Sequence, residues 1–248
     1  MTTHLIIPDA HAHPDQSNRR FTWLGRLILD LKPDVVVHIG DHWDMASLSG
    51  HSSKMELEGK KYMADIEAGV EALDMIDWPT RRAKKKRPRK VFCMGNHEAR
   101  IDRLVEQQPV LEGKVSDADL QLLDYGWEVN GFLTPVVVDG IVYSHYFVSG
   151  VMGKPIGGVH SARSLLSKQH MSTTQGHSHL LDYSLTNRAD GRRIQGLVCG
   201  VFQDYRTTWN NNQSESQWWP GLVIKRNVEN GVYDPQFVSI QALKKEYD

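Results

Sequence analysis

Residues 35–44 have the sequence VVVHIGDHWD, in which an apolar run ends at a glycine that is followed by an aspartate. The run Val35–Ile39 is short and rich in β-branched residues, which is typical of a strand buried in a parallel sheet. Gly40 allows the backbone to turn sharply where this strand ends. The stretch therefore predicts a buried parallel strand that brings Asp41 and Asp44 to one edge of a sheet.

The rest of the first half alternates strands and helices around this stretch. His4–Pro8 and Val91–Met94 are further apolar runs that predict strands. Apolar residues at helical spacing predict helices between them, with Ser17 or Asn18 placed to cap the first. This alternation indicates a largely parallel sheet with right-handed crossovers. The helical residues are Phe21, Leu24, Leu27, Ile28 and Leu31, then Met63, Ile66, Val70 and Leu73, then Ile101, Leu104 and Val105.

The second half consists mostly of predicted hairpins. The dipeptides Asp139-Gly140, Asp190-Gly191 and Asn230-Gly231 each separate two predicted strands and are typical of tight hairpin turns. One helix, Ser161–His170, interrupts them. We therefore expect the α/β class, as an αββα sandwich of two mixed β-sheets flanked by helices. No linker divides the chain, so residues 1–248 are expected to form a single domain. The predicted hairpin strands are Leu133–Val138, Ile141–Ser144, Leu180–Thr186, Ile194–Phe202, Leu222–Val228 and Val232–Ile240.

The 248-residue chain has the composition of an ordinary soluble globular protein, with 40% hydrophobic and 24% charged residues. Its 29 basic and 30 acidic residues leave a net charge of −1, which excludes a uniformly basic nucleic-acid binder. Eight of the 29 basic residues lie in the run Arg81–Lys90. We interpret this run as a solvated loop, and the alternative is an anchor for a long polyanion.

The two cysteines, Cys93 and Cys199, are too few for a disulfide framework and are typical of a reducing compartment. No apolar run approaches the roughly 18 residues that a membrane helix needs. The N-terminus reaches Asp9 and His11 too early for a signal peptide. We therefore expect a cytoplasmic protein that does not associate with a membrane.

Five short polar segments, each expected to follow an apolar strand, carry the candidate chemistry. Ligands of open α/β sheets bind at the carboxyl ends of the strands. Asp9/His11 and His177/His179 are spaced so that an extended backbone would point both side chains of a pair the same way. Carboxylates, imidazoles and an amide, without thiolates, suit Mn²⁺, Fe²⁺ or Zn²⁺. The segments are Asp9-Ala10-His11, Gly40-Asp41-His42-Trp43-Asp44, Gly95-Asn96-His97-Glu98, His145 and Gly176-His177-Ser178-His179.

In this order, the segments resemble the motifs of the calcineurin-like metallophosphoesterase superfamily. The resemblance spans residues 9–179 and implies the same two-sheet sandwich with outer helices. It also implies two divalent metal ions as cofactors, with Mn²⁺ expected and Fe²⁺/Fe³⁺ or Zn²⁺ as the alternatives. By this resemblance, the ligands of one ion are Asp9, His11, Asp41 and His179, and those of the other are Asp41, Asn96, His145 and His177.

The resemblance further implies a catalytic pair beside the metals. His97 would act as the general acid without binding a metal, and Asp44 would orient its imidazole. Two cations about 4 Å apart clamp phosphate oxygens and lower the pKa of a bound water, so a hydroxide that bridges them would be the nucleophile. The implied activity is the hydrolysis of phosphate esters.

The residues after Asp44 bear on the substrate. Superfamily members that dephosphorylate proteins typically continue with Arg-Gly, whereas Met45-Ala46 follow here. We favour a phosphodiesterase that acts on a nucleotide or nucleic acid. The alternatives are a small-molecule phosphomonoesterase and a catalytically silent binding scaffold of the same fold. No obligate protein partner is indicated.

Four more residues are candidate substrate contacts. Arg100 begins a helix near the site and either grips a phosphate or is solvated or structural. His42 lies in a loop on the site side, and Lys154 lies in a glycine-rich loop that either rims the site or is a plain loop. Trp209 belongs to Gln203–Pro220, a loop expected on the metal side. Its tryptophans either stack on bases and sugars or pack the loop against the sheet.

Overall fold

The computed structural model of the chain describes residues 1–50, 57–81, 87–205 and 213–248. The described residues form five α-helices, four short 3₁₀ helices and thirteen strands. The α-helices are α1 (Arg19–Leu31), α2 (Tyr62–Arg81), α3 (Arg100–Gln107), α4 (Ser161–Gln169) and α5 (Ile240–Tyr247). The 3₁₀ helices are Ala46–Leu48, Pro109–Leu111, Asp117–Leu120 and Gln213–Gln217. The strands are β1 (Thr2–Ile7), β2 (Val35–His38), β3 (Arg89–Cys93), β4 (Trp127–Asn130), β5 (Val136–Val138), β6 (Ile141–Tyr143), β7 (Val148–Ser149), β8 (Lys154–Pro155), β9 (Ser172–Gln175), β10 (Leu181–Asn187), β11 (Arg193–Cys199), β12 (Gly221–Glu229) and β13 (Val232–Ser239).

The strands assemble into two large mixed sheets. The first sheet has the order β13-β12-β1-β2-β3-β4, in which β1 to β4 are parallel and β12 and β13 pair antiparallel. The second sheet has the order β10-β11-β9-β6-β5, with three central parallel strands and an antiparallel strand at each edge. Strands β7 and β8 form a separate hairpin.

Three apolar layers hold these sheets and helices together. Val37 of the first sheet and Leu197 of the second belong to the core between the sheets. Phe92 on the outer face of the first sheet packs in a second core with Trp23 of α1 and residues of α2 and α5. Leu165 of α4 belongs to a third core on the outer face of the second sheet. This order of helix, sheet, sheet and helix confirms the predicted fold class.

Strand β9 corrects one expectation from the sequence. We expected an apolar run before Gly176, but the strand there, Ser172–Gln175, is entirely polar and entirely buried. Its side chains are satisfied inside the protein: the Gln175 amide donates to the main-chain carbonyl of Ile156 over 2.8 Å and accepts from the Phe147 amide over 3.2 Å. A polar strand can lie in the core because each buried polar group finds a partner.

Three other features differ from the predictions. No strand was predicted at β4. The predicted last strand ends at Ser239, whose hydroxyl accepts from the Ala242 amide and caps α5. Asn18 precedes α1 but does not cap it. Its side-chain amide instead donates to the main-chain carbonyl of Ala68 over 2.8 Å, which ties α1 to α2.

A buried lysine links the two sheets. Lys225 lies on β12 of the first sheet and is completely buried. Its Nζ atom contacts the hydroxyls of Thr174 and Tyr143 on the second sheet, and the Tyr143 hydroxyl also lies 2.8 Å from Nδ1 of His4. Burial lowers the pKa of Lys225 well below its ordinary value. A polar connection therefore crosses the otherwise apolar layer between the sheets.

The basic run Arg81–Lys90 lies at the amino end of β3, so it enters the strand at the end opposite Gly95. Residues 82–86 of the run lie outside the described residues. Among the others, Lys90 pairs with Asp77 at 2.6 Å and Arg89 pairs with Glu128 at 2.7 Å. Within the described ranges, no helix has both the length and the apolar character that crossing a membrane requires.

Candidate metal centre

Loops from both sheets bring the predicted ligands together at one end of the sandwich. Parallel strands of one sheet end at the same edge, and the two sheets face each other across the central core. The ligand residues are Asp9 and His11 after β1, Asp41 after β2, Asn96 after β3, His145 after β6, and His177 and His179 after β9.

Three overlapping groups of side chains have ligand atoms within 4.8 Å of one another. In the first group, Nε2 of His179 lies 3.1 Å from Nε2 of His11 and 3.3 Å from Oδ2 of Asp9. Both His11 and Asp41 belong to two groups, so the three groups form one continuous centre. The groups are Asp9/His11/His179, His11/Asp41/His97 and Asp41/His145/His177.

His145 connects Asp41 with Asn96. Its Nε2 lies 3.3 Å from Oδ2 of Asp41 and 2.9 Å from Oδ1 of Asn96. Its Nδ1 lies 2.9 Å from the main-chain carbonyl of Ile39, and this contact aims Nε2 into the centre. Burial lowers the pKa of His145, but the charges of Asp41 and Asp9 outweigh burial and raise that pKa to about 10. The electric field at this position therefore favours a cation.

Two glycines make room for the carboxylates. A Cβ atom at Gly95 would lie 2.1 Å from Oδ1 of Asp41, and a Cβ atom at Gly176 would lie 2.1 Å from Oδ1 of Asp9. Any larger residue would displace these oxygens. The converging donors, the cation-favouring field and these two glycines fit a pair of divalent metal ions held by the predicted ligands.

Four of the ligand residues have a left-handed backbone. The φ angles are 47° at His11, 47° at Asp41, 67° at His177 and 61° at His179. The prediction that an extended backbone aligns the pairs Asp9/His11 and His177/His179 is therefore wrong. Left-handed turns cost free energy in residues other than glycine and cluster at functional sites, where the surrounding structure enforces them.

Glu98 fixes two of the ligand loops to each other. Its buried carboxylate accepts hydrogen bonds from the main-chain amides of Asp41 (2.9 Å), His42 (2.7 Å), Trp43 (3.2 Å) and Gly95 (2.8 Å). The loops after β2 and β3 thus share one buried acceptor. No separate role was predicted for Glu98.

Two residues that the sequence analysis missed hold the backbone of His11. The hydroxyl of Tyr205 donates to the main-chain carbonyl of His11 over 2.6 Å. The guanidinium of Arg20, which is completely buried, donates to the carbonyls of Ala10 (2.7 Å) and Phe202 (3.1 Å), and it also reaches His11. The only signal in the sequence for this role was the position of Arg20, a charged residue, on the apolar face of α1.

His97 lies in the second group, with its Nε2 3.7 Å from Oδ2 of Asp41. Its Nδ1 lies 2.6 Å from the main-chain carbonyl of Asp44, and its Nε2 lies 3.0 Å from Nη2 of Arg100. Because arginine only donates, Nε2 accepts and the proton sits on Nδ1. Burial lowers the pKa of His97 to about 4. The imidazole is therefore neutral in this arrangement.

The carboxylate of Asp44 is not the closest partner of His97. Its Oδ1 lies 3.3 Å from Nδ1 of His11 and 3.6 Å from Nδ1 of His97, while its Oδ2 lies 3.9 Å from Nε2 of His13. We expected this carboxylate to orient His97, but the main-chain carbonyl of Asp44 makes that contact. The carboxylate lies among three imidazoles and is closest to the predicted metal ligand His11.

The predicted substrate contact at His42 is wrong. Its ring is completely buried and faces α2, with Nε2 3.0 Å from the carbonyl of Gly69 and Nδ1 3.0 Å from Nε2 of His38. The ring packs in the outer core of the first sheet, 5.3 Å from the ring of Phe21. Burial lowers the pKa of His42 to about 3, as expected for a core residue.

The other predicted contacts have different surroundings. Nη1 of Arg100 donates to the carbonyls of Asp44 (2.8 Å) and Met45 (3.0 Å), so much of this guanidinium holds the backbone. Lys154 is exposed on β8, in the hairpin that follows the loop of His145. Trp209 lies outside the described residues.

Aromatic rings flank the centre on two sides. The indole of Trp218 lies 4.3 Å from the ring of His179, so the end of the loop Gln203–Pro220 does return to the metal side. Trp219 instead packs against Gly200 and Gly221. On the other side, the ring of Tyr146, which the sequence analysis missed, lies 4.6 Å from the ring of His177.

The match to a protein-family model agrees with this geometry. A family model described as calcineurin-like phosphoesterase matches residues 3–191. No curated protein sequence matches the chain closely enough to count as a relative. Among solved structures, an archaeal phosphodiesterase is 12% identical, with 95% of this chain and 99% of that chain covered and a TM-score of 0.46. Yfce, a phosphoesterase from E. coli, is 14% identical, with 96% and 99% covered and a TM-score of 0.43. Because both TM-scores are below 0.5, the assignment to a family rests on the family model alone.

Proposed function

The chain belongs to the calcineurin-like phosphoesterase family, and within that family we propose that it is a phosphodiesterase acting on a nucleotide or nucleic acid. The contact that carries this proposal is the one between the indole of Trp218 and the imidazole of His179, 4.3 Å apart. A diester has a second organic group on its phosphorus, and an aromatic ring beside the metal ligands offers that group a stacking surface.

The charges near the centre support the same choice. A phosphomonoester carries more negative charge than a diester and calls for more cationic side chains. The guanidinium of Arg100 holds main-chain carbonyls, and Nη2 of Arg103 donates to the carbonyl of Asn96 over 2.6 Å. Both arginines lie on α3 and therefore use some of their hydrogen-bond donors within the protein. Fewer of their donors are left for a dianionic phosphate.

We propose two divalent ions, Mn²⁺ first, with Fe²⁺/Fe³⁺ or Zn²⁺ as alternatives. When bound, such ions clamp phosphate oxygens and lower the pKa of the attacking water. Asp41 would be shared between them, because it belongs to both the His11 and the His145 groups. The proposed ligands of one ion are Asp9, His11, Asp41 and His179, and those of the other are Asp41, Asn96, His145 and His177.

We propose His97 as the general acid that protonates the leaving oxygen. That role needs a proton on Nε2, the atom that accepts from Arg100 in this structure. The substrate phosphate would draw the Arg100 guanidinium away from Nε2, and Nε2 would then take up a second proton from solvent, which makes the ring an imidazolium. The carbonyl of Asp44 keeps the ring in place during this change.

A substrate panel with Mn²⁺ tests this function. We expect kcat/KM for bis-p-nitrophenyl phosphate to exceed that for p-nitrophenyl phosphate. For a nucleotide diester, Trp218→Ala should raise KM about tenfold, as expected for the loss of one stacking ring. The matched control is Trp78→Ala, which removes an exposed indole on α2. A clear monoester preference would overturn the proposal.

A cytoplasmic location and the lack of an obligate protein partner stay predictions.

A further inference from the structure

A second aromatic surface lies beside the centre, and the proposed function does not use it. The ring of Tyr146, which is half-buried, lies 4.6 Å from the ring of His177 and 5.6 Å from the ring of His145. The ring of Phe132 packs against it, 5.5 Å from Tyr146 and nearly perpendicular to it, at 81°. We call Phe132 and Tyr146 the tyrosine wall.

The tyrosine wall and Trp218 stand at different ends of the centre. Trp218 contacts His179, whose group contains Asp9 and His11. Tyr146 contacts His177, whose group contains Asp41 and His145. The two groups share no member and are linked by the group of His11, Asp41 and His97. One aromatic surface therefore flanks each proposed ion. A phosphorus atom held over both ions would have one ring on either side.

The chemistry of a diester matches this arrangement. Two organic groups leave the phosphorus in different directions, so each group can reach a different ring. A planar base stacks on an aromatic side chain whatever its identity, because every base has a π-face.

We propose that the tyrosine wall is a second nucleobase subsite, so that the substrate is an internal phosphodiester with a base on each side. This inference rests on the proposed phosphodiesterase function. The smallest substrate is then a dinucleotide. Both bases must leave their stacked and paired positions to contact the rings, so the substrate is single-stranded at the cleavage point. Water attacks phosphorus and releases one proton to solvent, the P–O bond to one nucleoside breaks, and that oxygen leaves with the proton of His97.

Four dinucleotides test the subsite with Mn²⁺: dithymidine monophosphate, the two analogues that lack one base, and the analogue that lacks both. Tyr146→Ala should lower kcat/KM about tenfold for the intact dinucleotide and for one single-base analogue, and leave the other unchanged. Trp218→Ala should show the complementary pattern. Tyr146→Phe keeps the ring and should match the unmodified protein, and elemental analysis should find the same metal content in all variants.

The outcomes separate the subsite from the function on which it rests. Equal loss on all four compounds, or no loss on any, in Tyr146→Ala would overturn the subsite while leaving diester hydrolysis in place. An unmodified protein that hydrolyses p-nitrophenyl phosphate but none of the four diesters would overturn the proposed function itself.

Discussion

The hydroxyl of Tyr205 donates a 2.6 Å hydrogen bond to the main-chain carbonyl of His11, across 194 positions of sequence. His11 is one of the left-handed residues of the centre, and its imidazole belongs to two of the three ligand groups. Tyr205 begins the segment that leads to Trp218, beside His179. One hydrogen bond therefore ties the loop that carries the proposed stacking ring to the backbone of a proposed metal ligand.

Tyr205→Phe should weaken the binding of one metal ion about tenfold or more, because supporting contacts of this kind typically change metal affinity by 10–100-fold. Titration calorimetry with Mn²⁺ on the metal-free protein measures this. Tyr62→Phe is the matched control, since its hydroxyl bonds Asp119 at 2.7 Å, away from the ligand loops. Equal affinities in the two variants would show that the hydroxyl does not position His11.

Asp41→Asn should reduce the affinity for both ions, because its carboxylate belongs to the His11 and the His145 groups. Asparagine tolerates the left-handed backbone found at this position, so the fold should persist. Asp9→Asn is the matched comparison and should affect one ion only. Elemental analysis after dialysis gives the stoichiometries. Finding a single ion in the active, metal-replete unmodified protein would contradict the two-ion centre.

His97→Ala should keep both ions and lower turnover about 10²-fold or more, as the loss of a general acid does. The loss should be largest for a substrate with a poor leaving group, and small for a p-nitrophenyl ester whose leaving oxygen needs little protonation. His13→Ala, another imidazole near Asp44, is the control. Metal loss in His97→Ala would instead identify His97 as a ligand.

Glu98→Gln should destabilise the protein by about 1–3 kcal/mol, because the side-chain NH₂ would then face main-chain amides that need an acceptor. Both ligand loops depend on this acceptor, so metal affinity should fall together with the free energy of unfolding. Urea unfolding of the metal-free protein measures the first effect. Glu128→Gln, an exposed pair with Arg89, serves as the control. Unchanged unfolding in Glu98→Gln would refute the role of the shared acceptor.

Lys225 predicts a dependence of stability on pH. Burial depresses its pKa in the folded state, so the unfolded chain binds more protons between that pKa and roughly 10.4. The stability of the folded state should therefore rise with pH in this window, by up to about 1.4 kcal/mol per pH unit. Lys225→Met should lose this rise relative to the exposed-site control Lys245→Met, as measured by urea unfolding at several pH values. Parallel pH profiles in the two variants would mean that Lys225 is charged in the folded state.

The strand ends were predictable because hydrophobic runs and the polar residues that follow them are local features. The run Val35–Ile39 ends before Asp41 in the structure as in the prediction. β9 was not recognisable from hydrophobicity, because its polar side chains find partners that are distant in sequence, such as Ile156. Helix α5 was not predicted for the same reason: the residues that its apolar face packs against in the core over the first sheet are distant in sequence.

The centre was predictable as a set of residues and not as a geometry. In the segment that follows β2, adjacent polar residues look alike, yet Asp41 faces the centre and His42 faces the core. Left-handed turns at ligand residues set these directions. Only glycine indicates such a turn in a sequence, and these residues are not glycines. Tyr146 and Tyr205 were missed because their roles depend on contacts with His177 and the His11 backbone.

The proposed ligands lie in loops of two separate sheets, so metal binding depends on the angle between the sheets. A strand of five residues is about 16 Å long, so a tilt of about 3° at one end moves the other end by almost 1 Å. Metal–ligand distances tolerate only about 0.2 Å. The crossing contacts of Lys225 with Thr174 and Tyr143 resist such a tilt from within the core. A substitution of Lys225, on a strand that carries no proposed ligand, should weaken metal binding before it unfolds the chain.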